Sequence, residues 1–244
     1  MEKAFDNEKL KRILKFPVLF LGAKPSETPS FYNFMNFADF GLGTWHPKGG
    51  FHEVIAGMVK LAESLGVKIS TNANINKIHV ENKTAKALSV NGEKKEYDII
   101  LSGADYHHTE TLLDQEHRQY SEKYWDKKVF APSSLLFYIG FNKKLNFVKH
   151  HNLFFDVDFD KHAKDIYTTP KWTENPLFYA NFTSITDPTT APEGCENGFF
   201  LVPIAPGIED TGELGEDYFK KIMTRFEALT GQSVQENIIC KKSF

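Results

Sequence analysis

Residues 41–67, GLGTWHPKGGFHEVIAGMVKLAESLGV, set two pairs of glycines in front of an amphipathic stretch. Glycines ahead of a helix let a phosphate reach backbone amides, so GLGTWH has to be tested as a dinucleotide loop. Such a loop needs a strand before it, glycines in its tight turn and a helix N-terminus facing the pyrophosphate. Residues 37–40 do not read as a strand, His46 stands where a third glycine belongs, and Pro47 and Lys48 delay the helix. GLGTWH therefore fails that test. Gly49 and Gly50 sit at the helix start itself, where backbone N–H groups are unpaired and the dipole end is positive. Without side chains, they let another group come close to the backbone there. Locally, a plain tight turn into a helix accounts for them as well.

Other chemistry-bearing residues are quieter. The nine histidines include the adjacent pairs His107–His108 and His150–His151. Neighbours in an extended chain point to opposite faces and these pairs lack partners at ligand spacing, so no metal site is expected. Asp187, Glu193 and Glu196 surround APEGCEN, but Pro188, Pro192 and Gly194 mark a loop, where carboxylates are mostly solvated. No acid–base role is assigned to them. Cys195 has no evident histidine partner and reads as structural. With Cys240 the only other cysteine, no disulfide scaffold is expected, and reduced thiols in the cytoplasm are the simplest account.

The 244 residues carry a net charge of -3 without a long basic block, so no nucleic-acid partner is expected. The 22 phenylalanines predict either an aromatic core or a pocket for an apolar ligand. FPVLFLGA is too short to span a bilayer, and no signal-peptide pattern accompanies it.

Leu10, Ile13 and Leu14 predict a short surface helix within residues 1–16. Residues 30–40 predict an aromatic helix with Phe31, Met35 and Phe37 or Phe40 on one stripe. Val54, Ile55, Met58, Leu61, Ala62 and Leu65 mark one face of a third helix, ended by Gly66. VKIST, INKIHVE and AKALSV then predict strands, VNGEK a hairpin turn, and YDIILS (97–102) a buried strand ending at Gly103. TETLLD, HRQYSEKYW, DFDKHAKDIY and ELGEDYFKKIMTRFEAL predict helices. PSSLLFYIGFN, HHNLFFDV, PLFYANFTS, GFFLVPIAP and VQENIICKKSF predict strands. The fold class is α+β.

With this element order in hand, the chain resembles a family. WHPKGGFHEVIAGMVKLAESLGVKISTNANINKI, SGADYHHTETLL, SSLLFYIGFNKKL, HHNLFFD and TDPTTAPEGCENGFFLVPIAPG are similar to CrtI-type carotenoid desaturases (phytoene desaturases), relatives of the amine-oxidase flavoproteins. APEGCENGFFLVP and ADYHHTE are the specific parts. The resemblance implies the second half of an FAD-binding domain (glutathione-reductase-like or amine-oxidase-like) plus a mixed antiparallel-sheet substrate domain. The implied domains are residues 1–40 as a helical part of the substrate domain, 41–108 as FAD-binding and 109–244 as substrate-binding. No residues match the family's opening strand–GxGxxG–helix unit or its closing glycine-rich segment. The expectation is therefore an internal fragment, inactive alone and unable to hold FAD stably.

The resemblance also implies site residues. Gly49 and Gly50 correspond to a glycine pair near cofactor and substrate. Ile75 stands where a small apolar residue's backbone meets the adenine, and Gly103, Ala104 and Asp105 end a strand toward FAD. Trp45 and His46 would line the cavity, although locally Trp45 reads as packed and His46 as solvent-facing. The implied reaction removes hydrogen from an apolar polyene, with FAD doing the redox chemistry. SLLFYIGF, LFYANF and GFFLV could wall a polyene or simply form core. A carotene lives in lipid, so FPVLFLGAKPSETPSFYNFMNF is the expected contact with a membrane surface, in a cytoplasmic, peripheral protein. The alternatives are another flavin oxidoreductase on this scaffold, an amine oxidase or a carotenoid isomerase, or a non-catalytic binder of apolar ligands.

Overall fold

The computed structural model describes residues 4–21, 24–128 and 130–244, with backbone alone for residues 19–21. Gly22 and Ala23 of the expected membrane contact, and the first three residues, lie outside the described set. Helices mix with antiparallel sheets, as the α+β reading requires, and the chain divides into two compact units. One comprises residues 1–57 and 131–244, the other residues 58–130.

Helix α1 (Glu8–Lys15) starts where the Asn7 side chain accepts from the amides of Lys9 and Leu10. The aromatic segment is a chain of short helical pieces: a 3₁₀ turn over Ser30–Asn33, helix α2 (Phe34–Phe37) and a wider π-type turn over Ala38–Leu42. Its rings find no core. Phe31, Phe34, Phe37 and Phe40 are all more than half exposed. Helix α3 (Phe51–Ser64) follows, and Gly66, with φ of +82°, lies just past its end.

In the second unit, β1 (Ile75–Glu81), β2 (Thr84–Val90) and β3 (Glu93–Glu96) form an antiparallel meander. Asn91 and Gly92 take φ of 52° and 86°, the left-handed values that an Asn-Gly hairpin turn demands. VKIST forms no strand. YDIILS does not either, which corrects the sequence reading: Ile99 is 87% and Leu101 94% exposed. The last bond to the meander is Tyr97 N–H to the Lys86 carbonyl, and beyond it no described strand offers a ladder. Helices α4 (Tyr106–Thr111) and α5 (Glu122–Trp125) pack through buried Glu110. Its carboxylate accepts from the amides of Gln119 and Tyr120 and from the Trp125 indole.

The first unit holds the phenylalanine core. Strands β4 (Ser133–Phe141), β5 (His151–Phe154), β6 (Phe178–Asn181), β7 (Glu196–Ile204) and β8 (Ile238–Ser243) form one antiparallel sheet in the order β5-β6-β7-β4-β8. Leu135, Phe137, Ile139 and Phe141 alternate inward on β4, and Phe200 and Val202 do so on β7. Helix α6 (Phe159–Tyr167) is pinned by buried His162, whose Nδ1 accepts from the Leu177 amide while Nε2 donates to the Pro203 carbonyl. Helix α7 (Glu213–Thr230) buries Tyr218, Phe219, Ile222, Met223 and Phe226 on one face and ends on left-handed Gly231. The Phe226 ring meets those of Phe200 and Phe182 edge-on and tilted, at 5.4 and 5.8 Å.

Candidate functional site

Pro47 to Gly50 form a turn closed by the Gly50 amide donating to the Pro47 carbonyl at 2.8 Å. Gly49, third in the turn, has φ of +83°, as a type II turn requires at that place. Its amide donates to Oδ2 of Asp187 at 2.6 Å. Asp187 belongs to the DPTT segment and caps its own 3₁₀ turn, Oδ1 accepting from the Thr189 hydroxyl at 2.5 Å and the Thr189 amide at 3.1 Å. The Thr189 hydroxyl first, and the Gly49 amide second, hold its pKa down to about 2. His46 stands beside the knot, its Nε2 3.5 Å from Oδ2 of Asp187 but with no hydrogen-bond partner among the described residues.

Two sequence expectations are corrected here. Asp187 and Glu196 were read as solvated loop carboxylates, yet both are buried. Each is satisfied by bonds that a loop can supply: Asp187 as above, Glu196 by the Ser184 hydroxyl and the Lys144 ammonium. Glu193 is exposed, as expected. His150 and His151 were read as pointing to opposite faces. Their ring centroids are 4.4 Å apart and both line one cavity, because the strand pleat begins only at His151. The His46 ring packs 5.0 Å from that of His150.

The cavity has a volume of about 630 Å³ and lies wholly within the first unit. Thr44, His46 and Lys48 form one side; His150 and His151 with residues 186–189 form the other. Burial lowers the pKa of both His150 and His151, so the pair is neutral at neutral pH. Among the described residues, no three His, Cys, Asp or Glu side chains gather as metal ligands.

Of the residues expected at the site, His46 lines this cavity beside Gly49 and Gly50, half-buried rather than solvent-facing. Trp45 is 87% exposed and neither packs nor lines it. In the second unit, Ile75 opens β1 opposite Val90. Gly103 and Ala104 are exposed, and Asp105 is the N-cap of α4, accepting from the His108 amide. Sequence reasoning passed over Lys48, His150, His151 and Asp187. The signal for Asp187 was present: Asp-Pro-Thr is an aspartate poised to cap its own turn.

The comparisons with known proteins bear on what such a site serves. Residues 2–235 match the family model described as flavin containing amine oxidoreductase. The chain belongs to the flavin-containing amine oxidoreductase family. Within it, the chain is similar to a carotenoid 3,4-desaturase of Haloarcula japonica, 37% identical over all of the chain and 50% of that protein. A 4,4'-diapophytoene desaturase of Staphylococcus haemolyticus is 31% identical over 85% of the chain and 42% of that protein. A 1-hydroxycarotenoid 3,4-desaturase of a Flavobacterium is 28% identical over 97% of the chain and 48% of that protein. The chain thus spans about half the length of these curated relatives. A solved oxidoreductase structure from Methanosarcina mazei shares the fold, with a TM-score of 0.63 at 18% identity over 91% of the chain and 49% of that structure.

The family's flavin can be tested against the residues present. Both glycine amides of the PKGG turn are spent, on Asp187 and Pro47. The turn therefore offers no phosphate cradle. A Cβ built on Gly50 would meet nothing nearer than the Thr190 methyl at 4.0 Å, and one on Gly103 nothing within 4 Å. Open space at each backbone leaves room for a flat group to approach it.

Proposed function

We propose that this chain is part of an FAD-dependent desaturase that removes hydrogen from an apolar polyene, a carotenoid precursor such as phytoene. The observation that carries this reading is the similarity of the whole chain to the Haloarcula carotenoid 3,4-desaturase. FAD, when bound, supplies hydride-type acceptance from carbon. Gly49, Gly50, Ile75, Gly103, Ala104 and Asp105 are the proposed contacts with it. His46 and Trp45 are proposed to touch substrate. The chain's own share is to orient the polyene and keep its surroundings dry.

A holoenzyme containing this chain, loaded with FAD and given phytoene in liposomes, should yield products absorbing at longer wavelength, since each new double bond extends the conjugation. Unchanged phytoene together with peroxide release from an amine would instead favour amine oxidation, the second reading that the family description supports. The 244-residue chain alone should retain no flavin bands after FAD addition and desalting. Retained bands would mean that its own contacts suffice.

A peripheral membrane contact is part of the proposal. No helix among the described residues is long and apolar enough to cross a bilayer. The exposed rings of Phe31, Phe34 and Phe37 suit insertion at the lipid interface. Changing all three to Ser should abolish flotation of the holoenzyme with liposomes; unchanged flotation would rule this segment out.

A further inference from the structure

The PKGG turn has little of its own to fix it in place. Residues 43–47 before it belong to no helix or strand. Its apolar neighbours Leu42, Trp45 and Phe51 are all more than half exposed, so they do not clamp it to a core. Among the described residues, the Gly49 amide donating to Asp187 is the one hydrogen bond between residues 41–57 and residues 131–244. It joins positions 138 apart in the sequence.

The carboxylate end is held by backbone and side chains together. The Asp187 amide donates to the Thr183 carbonyl at 2.9 Å, and the Asp187 carbonyl accepts from the Thr190 amide at 3.1 Å. Asn197 on β7 grips both ends of this loop, Oδ1 accepting from the Ser184 amide at 3.1 Å and Nδ2 donating to the Thr190 carbonyl at 3.0 Å. The Ser184 hydroxyl donates to buried Glu196, the preceding residue of β7. With Oδ1 of Asp187 given to Thr189, Oδ2 is aimed at the Gly49 amide. A loop fixed to the sheet thus carries one buried oxygen that holds an otherwise loose turn. Residue type matters at this place. A carboxylate accepts on both oxygens, as these two sets of donors require. Asparagine keeps one acceptor, which can stay with Gly49 while the Thr189 hydroxyl turns to accept from the side-chain amide. Alanine keeps none.

We propose that Asp187 is a positioning residue: anchored to β7 through residues 183–190, its carboxylate sets where the PKGG turn holds His46 and Lys48 at the cavity and Gly50 for its proposed contact with the flavin. In this role Asp187 acts through the turn and on neither substrate nor flavin directly. The inference rests on the FAD-dependent reading above and adds to it a residue 138 positions from the turn it serves.

The test compares Asp187→Ala with Asp187→Asn, in the 244-residue chain and in the FAD-loaded holoenzyme. In the chain, the proton resonance of the Gly49 amide reads the bond directly, because a short bond to an ionised acceptor moves it downfield. Alanine should return it to the range of a solvent-bonded amide, asparagine only part of the way. In the holoenzyme, Asp187→Ala should lower turnover of phytoene per bound flavin at least tenfold, since misplaced contacts cost rate steeply. It should also alter the visible circular dichroism of the flavin. Asp187→Asn should restore turnover to within about threefold of the parent. Thr189→Val removes one bond that aims the carboxylate and should lower turnover less. Added to Asp187→Ala it should cost nothing further, because both act along one path. Unchanged turnover per bound flavin in Asp187→Ala, with only less folded or loaded protein, would overturn the proposal and leave Asp187 a stabilising residue. Asp187→Asn as slow as Asp187→Ala, with the amide resonance kept, would overturn it in favour of the carboxylate's charge. Failure of the parent holoenzyme to desaturate phytoene would count against the polyene reading alone. The amide resonance and the circular dichroism would still decide the role of Asp187.

Discussion

The two units take apolar sequence to opposite ends. In the first, SSLLFYIGF becomes β4, with β7 on one side and β8 on the other, and its inward residues are buried under α7. In the second, YDIILS is equally apolar, yet no described strand flanks it and all its side chains but the half-buried Ile100 stand in solvent. The difference lies in what each segment can pair with. A strand is a relation between segments: its amides and carbonyls need a ladder as much as its side chains need a core. The exposed face of α3, with Ile55, Met58 and Leu61 all more than half exposed, tells the same story.

The sharpest way to break this comparison is to truncate one residue in each segment. Phe200 is fully buried between Phe182 and Phe226, so Phe200→Ala should cost about 4 kcal/mol. Ile99→Ser should change stability by no more than about 0.5 kcal/mol. Urea midpoints would decide it, and a large loss from Ile99→Ser would mean that residues 97–102 are covered in solution. Next in size is Glu110→Ala, which removes the buried acceptor of three part-buried hydrogen bonds in the second unit and should cost about 3 kcal/mol. Trp125 fluorescence reports on it locally. In the first unit, a Cβ at Gly198 would sit 2.9 Å from the Phe141 ring and 3.1 Å from those of Phe182 and Phe200. Gly198→Ala should therefore cost about 2 kcal/mol through overpacking.

Much of the first unit was legible in the sequence because it obeys local rules. The apolar runs PSSLLFYIGFN and GFFLVPIAP marked β4 and β7, and ELGEDYFKKIMTRFEAL marked α7. The hairpin at Asn91–Gly92 was legible for the same reason. The site was less so. His150, His151 and Asp187 lie far along the chain from the PKGG turn, and what joins them is tertiary: one amide of Gly49 reaching a carboxylate in the 186–190 loop. Adjacent histidines read as opposed because an ideal pleat was assumed, whereas His150 lies before the strand begins. Residues 97–102 misled in the other direction, because their pattern records a burial that the described residues do not supply.

The smallest effects lie in the pH dependence of the first unit, and their signs separate its groups. Burial lowers the pKa of His162, as it does for His150 and His151, so these rings resist protonation in the folded chain but accept it in the unfolded one, from the ordinary 6.5 downward. Their contribution is intact above pH 6.5 and is lost as pH falls through the lowered folded values. Asp187 acts in a lower window. Its folded pKa of about 2 lies below the ordinary 3.8, so its tie to Gly49 and Thr189 is complete above about 3.8 and lost as pH falls toward 2. Asp187→Asn keeps an oxygen for the Gly49 amide but cannot titrate. It should flatten the acid limb of a stability–pH curve and leave the limb below pH 6.5 as it was. Were both limbs to flatten together, the carboxylate of Asp187 and the imidazoles of His150 and His151, which line the same cavity, would be titrating as one network.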